Sequence, residues 1–354
     1  MLTQTTYLTS TPKNDGFWMP AEWYPHDAAW LTWPKNTVTW PDGLVALVEQ
    51  SYFQMIAALL QSETVKLLVD SESVEARVRA KLESLNIDCS KLIIIKQKTA
   101  DSWIRDFGPT YVINGKGERR WCKWMFNAWG GKYETVMKDD EVFHNPLIQD
   151  PCYKVDIILE GGSIDVNGKG TCLTTEQCLL NKNRNPHLSK NQIENYLKDY
   201  LGVKQIIWLK EGVEGDDTDG HIDDIARFVN EDTIVSAYES DKANPNFEVL
   251  NNNWEILKNS RTPEGRPWNL IRLPMPAPIL DKEGIPLPAS YANFYIGNHV
   301  VLMPSFSDPK DKEALQILKG AFPTKKVVEI PSRNVVFGRG TVHCLSQQEP
   351  QKIN

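Results

Sequence analysis

Val335-Val-Phe-Gly-Arg-Gly-Thr-Val-His-Cys-Leu-Ser-Gln-Gln-Glu-Pro350 runs near the end of the chain, and the other polar motifs of the sequence point toward it. β-branched and aromatic residues lead into Gly338-Arg339-Gly340, and a strand is expected to resume at Thr341. Glycine permits positive φ and lets backbone approach a ligand closely, so the stretch is suited to presenting the Cys344 thiol at a strand end. The competing reading makes Cys344 a small buried hydrophobe. A lone cysteine becomes a nucleophile only with a histidine and carboxylates brought from elsewhere in the chain.

Upstream of this stretch, helix-period and strand-period segments alternate. Apolar residues at helical spacing run from Gly43 to Gln61 and feed the apolar strand Val65–Val69. A second helix is expected over Ser73–Leu85, with a strand around Ile93–Ile95 after it. Thr110–Ile113 and Arg120–Phe126 flank Asn114-Gly-Lys-Gly117 as a hairpin. Further helices are expected over Ser189–Leu201, Phe247–Lys258 and Lys310–Phe322, each followed or preceded by strands such as Gln205–Leu209, Val300–Met303 and Val327–Ile330. No linker divides the pattern, which predicts one α/β domain over residues 1–354 built from divergent strand–turn–strand–helix–strand repeats.

The 354 residues carry 39 Lys and Arg against 46 Asp and Glu, a formal charge of -7. That balance argues against nucleic acid and suits a small cationic partner. The start, Met1–Tyr7, has neither a basic nor an apolar targeting region, and no membrane-spanning apolar run follows, so a cytoplasmic protein without membrane contact is expected. Cys89, Cys122, Cys152, Cys172, Cys178 and Cys344 lack CxxC or zinc-like spacing and read as free thiols, with no metal site.

Three polar constellations are candidates for chemistry. Asp101-Ser-Trp-Ile-Arg-Asp-Phe-Gly-Pro109 is either a cation grip or a loop held by an Arg105–Asp106 ion pair. Glu160 ends an apolar strand just before Gly161-Gly162. The acidic run Glu211–Asp224 contains His221 two residues from Asp223, a spacing that puts both on one face of a strand. This run reads as a metal site, a solvated acidic loop, or a cation pocket in which Asp223 holds positive charge and His221 moves protons. The Trp- and Pro-rich segment 17–41 packs on the core or brings Trp or Glu22 to a cation.

Taken together, Met19-Pro-Ala-Glu-Trp-Tyr-Pro25, Trp103–Pro109, Phe126-Asn-Ala-Trp-Gly-Gly131, Leu159-Glu-Gly-Gly-Ser163, Gly220-His-Ile-Asp-Asp224, Ala289-Ser-Tyr-Ala-Asn-Phe294 and His343–Pro350 resemble the agmatine deiminases, in family order over nearly the whole length. The resemblance implies a pentein fold, a five-bladed pseudo-symmetric α/β propeller of ββαβ-like repeats, acting on agmatine without a cofactor. It implies Cys344 as nucleophile, His221 as general acid and base, and Asp106 and Asp223 as clasps for the guanidinium, with Glu160 in support. Trp103 and Gly340 would border the substrate, Asp217 would receive its distal amine, and a homo-oligomer is expected. Arg339 departs from the glycine-rich run usual before the cysteine and bears on substrate choice. Deimination of arginine in peptides, a guanidine-binding protein without efficient catalysis, and a metal-dependent hydrolase are the competing readings.

Overall fold

The computed structural model describes residues 5–144 and 147–353; the first four residues of the N-terminal segment read above lie outside that range. Five sheets repeat one topology: two antiparallel strands, a crossover, and a third strand parallel to the second. In the second sheet, Thr110–Asn114 and Arg119–Met125 form the antiparallel pair and Cys152–Ile158 the parallel strand. Asp165–Val166, Thr171–Thr175 and Gln205–Leu209 repeat the order in the third. Ala226–Phe228, Thr233–Tyr238 and Asn269–Pro274 make the fourth, and Tyr295–Ile296, Val300–Ser305 and Lys326–Pro331 the fifth. The remaining sheet is completed across the length of the chain. Ser346–Pro350 pairs antiparallel with His26–Thr32, which then runs parallel to Thr64–Val69 and, through it, to Leu92–Lys96.

The crossover helices follow their apolar periodicity. Leu44–Leu59 buries Val48, Tyr52, Met55, Ile56 and Leu59, and Lys190–Leu201 buries Ile193, Leu197 and Leu201. Ser189 and Gln192 form a capping box at the start of the latter, and Gly202 ends it in the left-handed conformation. Glu72–Ser84, Asn246–Asn259 and Asp311–Ala321 complete the expected set. The apolar faces collect into four buried clusters, three of which are joined at their margins by Trp23 or Phe337. Among the described residues no helix is long and apolar enough to cross a membrane.

Three local expectations are corrected. Val335–Gly338 is a 3-10 turn and not a strand, closed by the Val336 amide on the Ser332 carbonyl and tied down by the Trp40 indole on the Val335 carbonyl. The strand resumes at Ser346 and not at Thr341, because Thr341 to Leu345 form a turn in which the Leu345 amide reaches the Thr341 carbonyl. Ile222–Asp224 is likewise a 3-10 turn, so His221 and Asp223 do not share a strand face.

Candidate active site

Each candidate side chain sits where regular structure breaks off. Asp106 lies on the one-turn helix Ile104–Phe107, Glu160 immediately before the turn Gly161–Ser163, and His221 and Asp223 at the turn that opens the fourth sheet. Cys344 occupies the turn that precedes the closing strand, where its carbonyl accepts from the Arg105 amide.

These side chains converge on Gly162. A Cβ placed there would lie 2.6 Å from His221 Nδ1, 2.9 Å from Asp106 Oδ1 and 3.1 Å from Asp223 Oδ2, so only glycine leaves the three groups undisturbed. The Gly162 amide donates to Asp106 Oδ1 at 3.0 Å, and the Trp129 indole donates to Asp106 Oδ2 at 2.9 Å. His221 Nδ1 stands 3.8 Å from Asp106 Oδ1. The Cys344 sulfur is 3.6 Å from Asp223 Oδ2 and accepts from the Asn293 amide at 3.1 Å. Asn293 also receives the Thr341 hydroxyl and the His343 amide on its carbonyl oxygen.

Glu160 is fully buried, with one oxygen bound by Arg184 Nε at 2.6 Å. Its other oxygen, both ring nitrogens of His221, and one oxygen each of Asp223 and Asp224 have no hydrogen-bond partner among the described residues. Buried polar groups are nearly always paired, so this cluster of free acceptors and donors marks a place built for a polar ligand. Ligand atoms of Glu160, Cys178 and His221, and of Asp223, Asp224 and Cys344, approach within 4.8 Å of one another. The metal reading therefore draws on two half-sites rather than on a His221–Asp223 pair.

A cavity of about 140 Å³ opens onto this cluster. Trp103, Asp106, Trp129, Asp217, Arg339 and Cys344 are among the residues that line it, while His221, Asp223 and Glu160 stand fully buried behind. Trp103 packs on Trp40 with ring centroids 5.4 Å apart. Gly340 does not border the cavity; it fits between the Trp103 ring and Cys344, where a Cβ would meet them at 2.7 and 3.1 Å. The left-handed residue of this run is Arg339, φ 66, and not either glycine. Arg339 donates to the Gly215 carbonyl at 2.9 Å and to Asp281 at 3.2 Å, and approaches Asp217 at 3.9 Å. Asp217 also receives the Tyr133 hydroxyl.

Burial dominates the electrostatics. It pushes the Cys344 thiol well up, and the charges of Asp223, Asp224 and Asp106 push it further, against the Asn293 hydrogen bond. Burial raises Asp106 as well, opposed by His221. Burial alone would lower His221, but Asp106, Cys178 and Glu160 outweigh it and hold the imidazole well above its usual range. Asp223 resists its burial because His343, His221 and Arg227 surround it, and stays low; Asp224 beside it is driven well up by burial and by Asp223. Burial carries Asp217 up to about 6.

Two alternatives weighed from the sequence are settled by these contacts. Arg105 does not pair with Asp106: it donates to Gln348 at 2.7 Å and to the His343 carbonyl at 3.3 Å. Glu22 does not reach the cavity but binds Arg227 at 2.8 Å and His343 at 2.7 Å. Asn293, His343, Arg184 and Trp129 had drawn no assignment from sequence. Asn293, Trp129 and His343 do lie inside quoted motifs, which was the signal available; Arg184 sits in none.

A buried thiol, an imidazole and paired carboxylates around a cation-sized space define a guanidine-modifying site. The profile of the Porphyromonas-type peptidyl-arginine deiminases matches residues 18–350, and the chain belongs to that family. It is 40% identical to the agmatine deiminase of Ectopseudomonas mendocina, covering 98% of both chains. The solved agmatine deiminase of Enterococcus faecalis, caught catalysing its reaction, superposes with TM-score 0.91 at 33% identity over 99% of this chain and 100% of that one. Agmatine deiminase of C. jejuni with substrate bound matches at 0.84 and 32% identity over 96% and 97%. An amidinotransferase from Microseira wollei also shares the fold at TM-score 0.53 and 10% identity, and with the agmatine deiminase structures it places the five-sheet architecture in the pentein fold.

Proposed function

We propose that the chain hydrolyses the guanidine group of agmatine to N-carbamoylputrescine and ammonia through a covalent intermediate on Cys344. The observation that carries this reading is the convergence of Asp106, Asp223 and His221 on Gly162 with the Cys344 sulfur at 3.6 Å from Asp223. A guanidinium is planar and resonance-stabilised, a poor electrophile that must be oriented before it can be attacked. Asp106 and Asp223 offer carboxylate oxygens to its fork of N–H donors.

The free site keeps the thiol protonated, since three carboxylates and burial oppose a thiolate. A bound cation neutralises those carboxylates and favours the thiolate, its proton passing to solvent, where it ends on the released ammonia, so substrate entry itself prepares the nucleophile. Sulfur then bonds to the guanidine carbon. The imidazolium of His221 passes its proton to a departing nitrogen, the C–N bond breaks, and ammonia leaves a thiouronium on Cys344. Neutral His221 next takes a proton from water, hydroxide adds to the same carbon, and collapse breaks the C–S bond to release the urea and return the thiol. Asp106 keeps His221 supplied with its proton at the outset.

Asp217 on the cavity wall suits the distal ammonium of agmatine, which favours a small dication over an arginine held in a peptide chain. Agmatine, free arginine and a blocked arginine peptide incubated in parallel, with ammonia and ureido product measured and Cys344→Ala as control, test the reading. Turnover of agmatine, lost in the variant and indifferent to a chelator, is expected. Turnover of the peptide alone would replace the substrate, and chelator sensitivity with full tolerance of a thiol alkylator would replace the chemistry.

A further inference from the structure

His343 precedes the nucleophile and is almost fully buried, yet the mechanism above does not use it. Its ring bridges two carboxylates brought from opposite parts of the chain: Nδ1 lies 2.7 Å from Asp223 Oδ2, and Nε2 lies 2.7 Å from Glu22 Oε2. An ionised carboxylate only accepts hydrogen bonds, so both contacts are made together when both ring nitrogens carry protons. Glu22 is anchored from behind. Its Oε2 accepts from Arg227 at 2.8 Å and lies 3.7 Å from Arg105, and its Oε1 accepts from the Ile296 amide at 2.6 Å. Burial would raise Glu22, but Arg227, His343 and Arg105 hold it well below the carboxylate range, so it does not take the ring's proton. Asp165, another charged group in this buried layer, is occupied by Arg227 at 2.9 Å and by the Phe228 amide.

The bond to His343 decides what Asp223 can do. It commits Oδ2, the oxygen nearest the Cys344 sulfur, and leaves Oδ1 without a partner among the described residues. We infer that His343 is a positioning residue for guanidine hydrolysis: as an imidazolium between Glu22 and Asp223 it turns the free oxygen of Asp223 to the substrate and keeps positive charge beside the Cys344 sulfur. The inference rests on the proposed reaction for its first half, while the effect on the thiol stands without substrate.

His343→Gln replaces the cation by a neutral amide of similar reach. Without the cation Asp223 titrates higher, so in an Asp217→Asn background, where the limb set by that carboxylate is absent, the acidic limb of kcat/KM for agmatine is expected to move up by about 1–3 pH units on adding His343→Gln. Alkylation of Cys344 by iodoacetamide at pH 7, read by mass spectrometry without substrate, is expected to slow by about tenfold or more, the equivalent of about one unit on the thiol. An unmoved acidic limb together with an unchanged alkylation rate, whatever the loss in thermal stability, makes His343 a packing residue and overturns the inference. Should the variant not fold, ¹⁵N spectra of the wild-type imidazole decide: protons on both ring nitrogens are expected, and a single tautomeric proton overturns the inference. Wild-type protein that fails to turn over agmatine, while its Cys344 alkylation depends on His343, removes the proposed reaction and leaves the link between His343 and the thiol standing.

Discussion

Gly162→Ala isolates the geometry of the site from its chemistry, because it adds one methyl group and removes no functional atom. The backbone at Gly162 is not in the left-handed region, so alanine is conformationally acceptable there and the whole effect is steric. The new Cβ would stand 2.6 Å from His221 Nδ1, 2.9 Å from Asp106 Oδ1 and 3.1 Å from Asp223 Oδ2. Ordinary contact at about 3.4 Å therefore requires displacements of about 0.8, 0.5 and 0.3 Å, and misplacement on the scale of 1 Å costs about 100-fold in rate. None of the three neighbours is the loose end of a flexible chain: Asp106 is held by Trp129, Asp223 by His343, and His221 is fully buried. Overpacking of this kind also costs about 1–3 kcal/mol of stability. Ammonia release measured against agmatine concentration is expected to show kcat/KM reduced about 100-fold, with the circular dichroism of the folded protein retained. A folded variant within about threefold of wild type would refute the claim that these three groups act from the positions described.

Asp217→Asn addresses the cavity wall. With its pKa raised to about 6, Asp217 carries charge above that pH and loses it below. Wild-type kcat/KM for agmatine should therefore fall as pH drops through 6, while the asparagine variant starts about tenfold lower and lacks that limb, as pH profiles of the two will show. Arg339→Gly removes the guanidinium that stands 3.9 Å from the Asp217 carboxylate and suits the left-handed φ of 66. A half-buried pair held at 3.9 Å, with no hydrogen bond between the partners, is worth about 0.2–1 kcal/mol, so KM for agmatine should fall by up to about fivefold in steady-state assays. Arg184→Met strands Glu160 as an uncompensated buried charge. The expected loss is about 3–5 kcal/mol, read from urea unfolding midpoints, with wild-type stability as the contrary result.

The helices were legible because each presents a regular apolar stripe to its sheet, as Leu44–Leu59 and Lys190–Leu201 do. The pairing of Ser346–Pro350 with His26–Thr32 was not, since nothing local in either segment encodes a partner more than 300 residues away. Val335-Val-Phe337 misled because β-branched and aromatic residues favour strands, while contacts with Ser332 and Trp40 bend them into a tight turn. The glycines around Arg339 drew attention from the residue that takes positive φ. Cys344, His221, Asp106, Asp223 and Glu160 were singled out by type and motif and do come together. Their supports escaped notice because a supporting role is defined by contact: Asn293 is 51 residues from Cys344, and His343 is 120 from Asp223.

The closing strand has a bearing on how the protein is made. His26–Thr32 leaves the ribosome early, but its outer neighbour Ser346–Pro350 and the thiol just ahead of it follow some 320 residues later, a separation spanned by the Trp30 indole on Glu349. Contacts so distant in sequence form slowly and late, since the intervening loop must close before they reward it. A nascent chain halted before Cys344 thus exposes an unpaired edge on His26–Thr32 and carries the carboxylates of the pocket without the thiol. Premature termination yields fragments whose first sheet lacks its last strand, and the sheet is complete only when Ser346–Pro350 pairs with His26–Thr32.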